Sequence, residues 1–262
     1  MANHLKKYKE FFFVKIKDYF YRFRLLLKSV PSVVTSIFVV AVVAMNVLAN
    51  KSININVNWL ALDAGIIVSW VAFLCMDVLT KHFGPRASTQ ISLFAIGVNL
   101  ALCLVFFVAS KISGSWGAFF DFGEQPIVND ALDKTIGGTW YVVMGSTVAF
   151  VASAVVNNFL NFGIGKIFKR NPDGFWAYAC RTYVSTALAQ LIDNLIFALL
   201  VSHFFFNWSV AQCLTCAATG MLVELIVEAV FSPLGFAVCR RWTREGVGKE
   251  YLEFVNNKKV KL

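Results

Sequence analysis

Six runs of mainly apolar residues, near positions 30–50, 59–80, 90–110, 139–165, 178–202 and 209–239, are each long enough to cross a bilayer. About 20 helical residues at 1.5 Å rise span the roughly 30 Å hydrocarbon layer. Because that layer offers no water, backbone N–H and C=O groups must bond within the segment, so each run predicts a helix. Only 15% of the residues are charged, whereas a soluble domain carries about a quarter. The expectation is an all-α membrane protein of six transmembrane helices, multi-pass in the cell membrane. Pro233 in the last run predicts tilt, a kink or an interfacial end turn. The segment "KISGSWGAFFDFGEQPIVNDALDKTIGG" between the third and fourth runs reads as a loop.

The placement of Lys and Arg predicts orientation. With the N-terminus inside, only Lys51, Lys111 and Lys134 of the 24 basic residues fall outside, so both termini are expected in the cytoplasm. This asymmetry also accounts for the net charge of +9 and makes a nucleic-acid partner unnecessary. Residues 1–28 interleave eight basic residues with Phe, Tyr and Leu. They read as a basic amphipathic cytoplasmic leader lying on anionic membrane lipid, not as a cleaved signal peptide. Residues 29–243 are the six-helix transmembrane domain, and 244–262 a basic cytoplasmic tail.

The fifth run carries what a lipid-crossing helix should avoid. In "RTYVSTALAQLIDNLIFALL", spacings of three and four place Thr182, Ser185, Thr186, Ala189, Gln190, Asp193, Asn194 and Phe197 on one stripe. The sixth run adds Glu224 and Glu228 on one face with Gly220. Facing lipid, Asp193, Glu224 and Glu228 would together cost about 8–10 kcal/mol, comparable with a domain's whole stability. They are therefore expected to turn inward. A shift of 36 residues matches the fifth run's stripe to Ser146, Ala149, Phe150, Ser153, Ala154, Asn157, Asn158 and Asn161 in the fourth. Consecutive spans run oppositely, so an inverted repeat relating helices 4 and 5 is expected, its polar residues near the midplane. Asp77 in the second run has Lys81 four residues on as a local salt-bridge partner.

Several chemistries lack their residues. No deep His pair or H-E-x-x-H supports metal hydrolysis, no G-x-S-x-G supports a serine nucleophile, and no Walker motif binds ATP. No enzyme activity, cofactor or metal is expected. The six cysteines, Cys75, Cys103, Cys180, Cys213, Cys216 and Cys239, lie in or beside apolar runs without a disulfide framework. Cys213 and Cys216 read as small packing residues. Gly97 and Ala101 can pack helices within one chain or between two, which leaves a homodimer open.

Two segments resemble signatures of the queuosine precursor transporters, also called putative vitamin uptake transporters. "FLCMDVLTKHFG" is similar to that family's D-x-x-T-E-x-x-G, with Lys81 where Glu is usual. Arg181, Ser185, Thr186, Gln190, Asp193 and Phe197 match a second signature, R-x-x-x-S-T-x-x-x-Q-x-x-D-x-x-x-F. The resemblance implies uptake of 7-deazaguanine bases, the cyano or aminomethyl precursors of queuosine. For such a nucleobase-like substrate, Asp193 or Glu224 would accept a ring N–H and the neighbouring amine together. Gln190, Asn194, Asn157 or Asn158 would meet the carbonyl and ring nitrogens, with Glu228 nearby. Phe150, Phe197 or Trp140 would stack on the base. Arg181 and Asp77 would be gate or structural residues. The alternative is a substrate-binding subunit like an S-component, which borrows a partner ATPase.

Overall fold

The computed structural model describes residues 17–53, 57, 59–60, 62–114, 116, 125–167 and 183–259. Helix α1 covers Lys17–Ser29 and bends by 105° into α2, Ser32–Leu48. A two-residue antiparallel pair follows, β1 (Ser52–Ile53) with β2 (Leu62–Asp63), in the register Ser52 to Asp63. Then come α3 (Ile66–Phe83), α4 (Pro85–Ala109), α5 (Gln125–Ile167) and α6 (Ser185–Phe197). Helix α6 passes into a π-helical stretch, Ala198–His203, and a last turn, Phe204–Phe206. Helix α7 is Val210–Glu245 and α8 is Lys249–Lys259.

Among the described residues, Ile66–Phe83, Pro85–Ala109, Ile127–Ser153, Thr186–Phe206 and Val210–Phe231 are long and apolar enough to cross a membrane. The bent α1–α2 pair, taken as one span, makes six. Side-chain exposure agrees with a lipid surround. On α7 the large apolar residues Leu214, Leu222, Ile226, Val230 and Leu234 are exposed. Cys213, Cys216, Ala217, Gly220 and Glu224 on the same helix are buried. A helix with its polar and small residues inside and its aliphatic ones outside suits hydrocarbon as solvent.

Two expectations are corrected. The loop before the fourth span is helical from Gln125, because α5 runs 43 residues, about twice a bilayer span. The Asp130–Lys134 pair at 2.6 Å supports that extra length, and Gly137 lets the helix approach Ser110. The second span starts at Ile66 and not near 59, since Leu62–Asp63 is drawn into the β pair. Pro233 lies inside helix α7.

The chain groups into two compact units. The first comprises Met1–Val40, Val71–Ala95 and Phe231–Leu262. Tyr251 of α8 is fully buried there, with Phe83 edge-on at 6.0 Å and Arg22 donating to its hydroxyl at 3.4 Å. Trp242 packs on Phe83 and His82, and the His82 ring is 2.9 Å from the Val247 carbonyl. Gly84 holds φ +90°, and its N–H bonds the Thr80 carbonyl at 3.0 Å. This is a left-handed helix stop that glycine adopts cheaply, and Pro85 then opens α4. The glycine of the first signature thus makes the α3–α4 turn.

The second unit comprises Ala41–Trp70 and Ile96–Val230. Within it α5 packs along α6 and the π-helical stretch. Gly145 of α5 lies directly against Val201, which is buried with Ala49 and Val142. Cys213 donates its thiol to the Ala198 carbonyl at 3.4 Å. A π turn shifts the backbone ladder from i→i+4 to i→i+5. Here a neighbouring helix meets a carbonyl at the start of that stretch.

Candidate functional site

Three helices of the second unit bring polar side chains together. Ser153 on α5 donates its hydroxyl to Asp193 Oδ1 at 3.0 Å. On α6 the next residue, Asn194, donates from Nδ2 to Glu224 Oε2 on α7 at 3.2 Å. The sequence builds this contact with a glycine. A Cβ at Gly220 would stand 2.9 Å from Asn194 Nδ2, so the missing side chain is what lets the amide lie against α7 on its way to Glu224. Glu224 is buried.

Gln190 completes the group. It lies three and four residues before Asp193 and Asn194, on the same helical face, and is only 6% exposed. Its Oε1 has no hydrogen-bond partner. A buried acceptor left unpaired carries a desolvation cost, which a ligand N–H would relieve.

The other expected residues are placed as follows. Phe197 packs against the Ala49, Val142 and Val201 cluster, beside Tyr141 and Phe206. Phe150 is half-buried on α5, and its carbonyl accepts a second contact from the Ser153 hydroxyl at 3.0 Å. Trp140 is exposed and edges against Tyr141 and Phe205, in an aromatic group remote in sequence from Asp193. Asn157, Asn158 and Glu228 lie on helical backbone of α5 and α7, but their side chains are outside the described residues, as is Arg181. Asp77 is half-buried on α3 in the first unit. Among the described residues no cluster of His, Cys, Asp and Glu could hold a metal ion.

Ser153 is the site residue that sequence reasoning passed over. It was legible only as a member of the small-residue stripe on the fourth run. Asp63 is a further acid of the same unit, half-buried and outside the spans. Its Oδ1 accepts the Gly65 N–H at 2.8 Å, and Cys216 of α7 lies beside it. Burial pushes this carboxyl up from 3.8 to about 6, partly opposed by the Gly65 hydrogen bond.

Convergent acids and amides inside lipid-crossing helices are the equipment of a membrane carrier. A family model described as putative vitamin uptake transporter matches residues 63–238. The chain belongs to that family. No curated protein and no solved structure matches this vitamin uptake transporter family member. The matched span runs from Asp63 to Val238, so it includes Ser153, Gln190, Asp193, Asn194, Gly220 and Glu224.

Proposed function

We propose that this transporter imports 7-deazaguanine bases, the cyano or aminomethyl precursors of queuosine. The observation that carries the reading is the placement of Gln190, Asp193 and Asn194 on one face of α6, with Asp193 bonded to Ser153 of α5, Asn194 bonded to Glu224 of α7, and the Gln190 acceptor unpaired. A guanine-like edge presents a ring N–H beside an exocyclic amine, and one carboxylate accepts both. Asp193 suits that task, because Ser153 fixes one of its oxygens without supplying a counter-charge. Gln190 Oε1 accepts a further N–H, and the Asn194 amide offers the group's donor. Asn157, Asn158 and Glu228 are proposed to line the same site, with Phe197 or Phe150 on the face of the base. Arg181 is proposed to act at a gate.

Uptake of labelled deazaguanine bases into cells lacking queuosine synthesis tests this. Wild type restores accumulation, and Asp193→Asn reduces it roughly 10- to 100-fold, the worth of a charge-assisted hydrogen bond. Accumulation by Asp193→Asn at the wild-type rate would remove Asp193 from the site. No accumulation by wild type would remove the substrate. Running the assay in a host without partner ATPases separates a self-sufficient carrier from a subunit that borrows a motor.

A further inference from the structure

The basic leader takes no part in the site above, yet its described end, α1, has a sharply divided surface. On one side Leu25 and Leu26 are buried, and Phe23 meets Phe94 of α4 with ring centroids 5.9 Å apart. Arg22 turns to α8, donating to the Tyr251 hydroxyl, and the Tyr21 ring touches Phe254 at 5.5 Å. The other side is exposed. Lys17, Phe20, Tyr21, Arg24 and Lys28, spaced by three and four, form one stripe along the helix. It holds three cations, two rings and no acid, and among the described residues none of those cations has an ion pair. On neighbouring α8, by contrast, Lys249 is answered by Glu253 at 3.8 Å.

Neither water nor hydrocarbon suits this stripe. Phe20, 63% exposed, gains nothing from water, and hydrocarbon rejects the cations. The headgroup layer between them accepts both. The fold puts α1 at that level. Helix α2 follows at Ser32, and its Val33, Ile37 and Val40 are exposed, as residues facing acyl chains are. Its 17 residues rise about 25 Å, so it crosses with little tilt. The bend of 105° then lays α1 along the membrane surface.

We propose that the stripe Lys17, Phe20, Tyr21, Arg24 and Lys28 is a docking surface for anionic phospholipid, in the leaflet on the side of the termini. The rings enter the headgroup layer and the cations sit on lipid phosphates. Lipid held there braces that end of the protein, because Arg22 on the back of α1 holds Tyr251, and Tyr251 packs on Phe83 beside the Gly84 turn.

The test follows the melting temperature of the full chain in neutral detergent with rising mole fractions of phosphatidylglycerol or phosphatidylcholine. Phosphatidylglycerol should stabilise and phosphatidylcholine should not. Arg24→Gln/Lys28→Gln should raise the mole fraction needed for half the effect about 10- to 30-fold. Arg240→Gln/Arg244→Gln removes the same charge from exposed positions on α7 and should change it by less than about threefold. Equal stabilisation of wild type by both lipids, or equal loss in the two double variants, overturns the proposal. A second measurement needs no variant to fold: phosphatidylglycerol with a photoreactive headgroup, crosslinked to wild type. Crosslinks should map to residues 17–28 and be suppressed by unlabelled phosphatidylglycerol; crosslinks confined to other segments overturn the proposal. A dimer in lipid-free detergent that Arg24→Gln/Lys28→Gln dissociates would assign the stripe to a second copy of the chain, and ends it too.

Discussion

Single residues here act by what they leave out as much as by what they present. Gly220 is the clearest example, because Asn194 occupies the space its side chain would fill. Gly220→Ala should push Asn194 off Glu224 by a small rotation, leaving stability within about 1–2 kcal/mol of wild type. Transport should nevertheless fall several-fold, because the site loses its geometry. A matched pair of melting curves and uptake rates checks this, and parallel loss of both would make Gly220 a packing residue only. Asp63 gives a prediction with a sign. Its folded value, about 6, lies above the ordinary 3.8, so the folded chain holds that proton more tightly than the unfolded one. The resulting stabilisation is complete below about pH 3.8 and is lost as pH rises through about 6. Above that, the charged carboxylate of half-buried Asp63 costs at most about 3 kcal/mol relative to its protonated form. Asp63→Asn keeps an oxygen for the Gly65 N–H and cannot ionise. Its melting temperature should therefore pull ahead of wild type as pH rises from about 4 to about 6 and keep a constant lead above that, and a pH-independent difference would contradict the burial argument.

At the scale of elements, legibility divides along a physical line. Helices whose cause is their own composition could be read directly, and so could the polar stripe of α6, because spacing of three and four survives any tertiary environment. What could not be read is set by neighbours. Nothing in "ALLVSH" marks a π turn; its partners are Cys213, fifteen residues on from Ala198, and Gly145 on another helix. The outer length of α5 was hidden by Gly137 and Gly138, which look like loop residues until Ser110 is seen against the first of them. The short β pair was masked because the same residues are apolar enough to extend a span. Within the site, Asp193, Asn194, Gln190 and Glu224 were visible as polar residues in apolar runs, whereas Ser153 is too ordinary in membrane helices to stand out. The π turn offers an element-level prediction. A methyl group at Gly145 would overlap Val201, and both lie in a packed face with Val142 and Ala49. Gly145→Ala should cost about 1–3 kcal/mol, seen as a lower melting temperature of the solubilised chain. Trimming the neighbour in Gly145→Ala/Val201→Ala should recover part of that loss. A double variant no better than the single one would place the strain elsewhere.

For the whole molecule, the charge distribution makes a definite prediction of which way it faces. Lys and Arg near span ends hold their segments on the cytoplasmic side during insertion. Counted along six spans, every basic residue except Lys51, Lys111 and Lys134 falls on the side of the termini. The stretch holding Lys51 joins α2 to α3, while Lys111 and Lys134 flank the passage from α4 into α5. Lys81 and Arg86 straddle the tight α3–α4 turn at Gly84. A fluorescent protein that folds only in the cytoplasm should therefore glow when fused after Leu262. Alkaline phosphatase, active only outside, should work when inserted after Gly114 and fail after Leu262. The same orientation would put Asp63 at the outer side, where external pH reaches it, and the long basic ends at the inner leaflet. Phosphatase activity after Leu262 with none after Gly114 would invert the molecule and turn the proposed importer's outer face into its inner one. Activity at both positions would mean an even number of crossings between Gly114 and Leu262, so that α5, α6 and α7 could not each cross once.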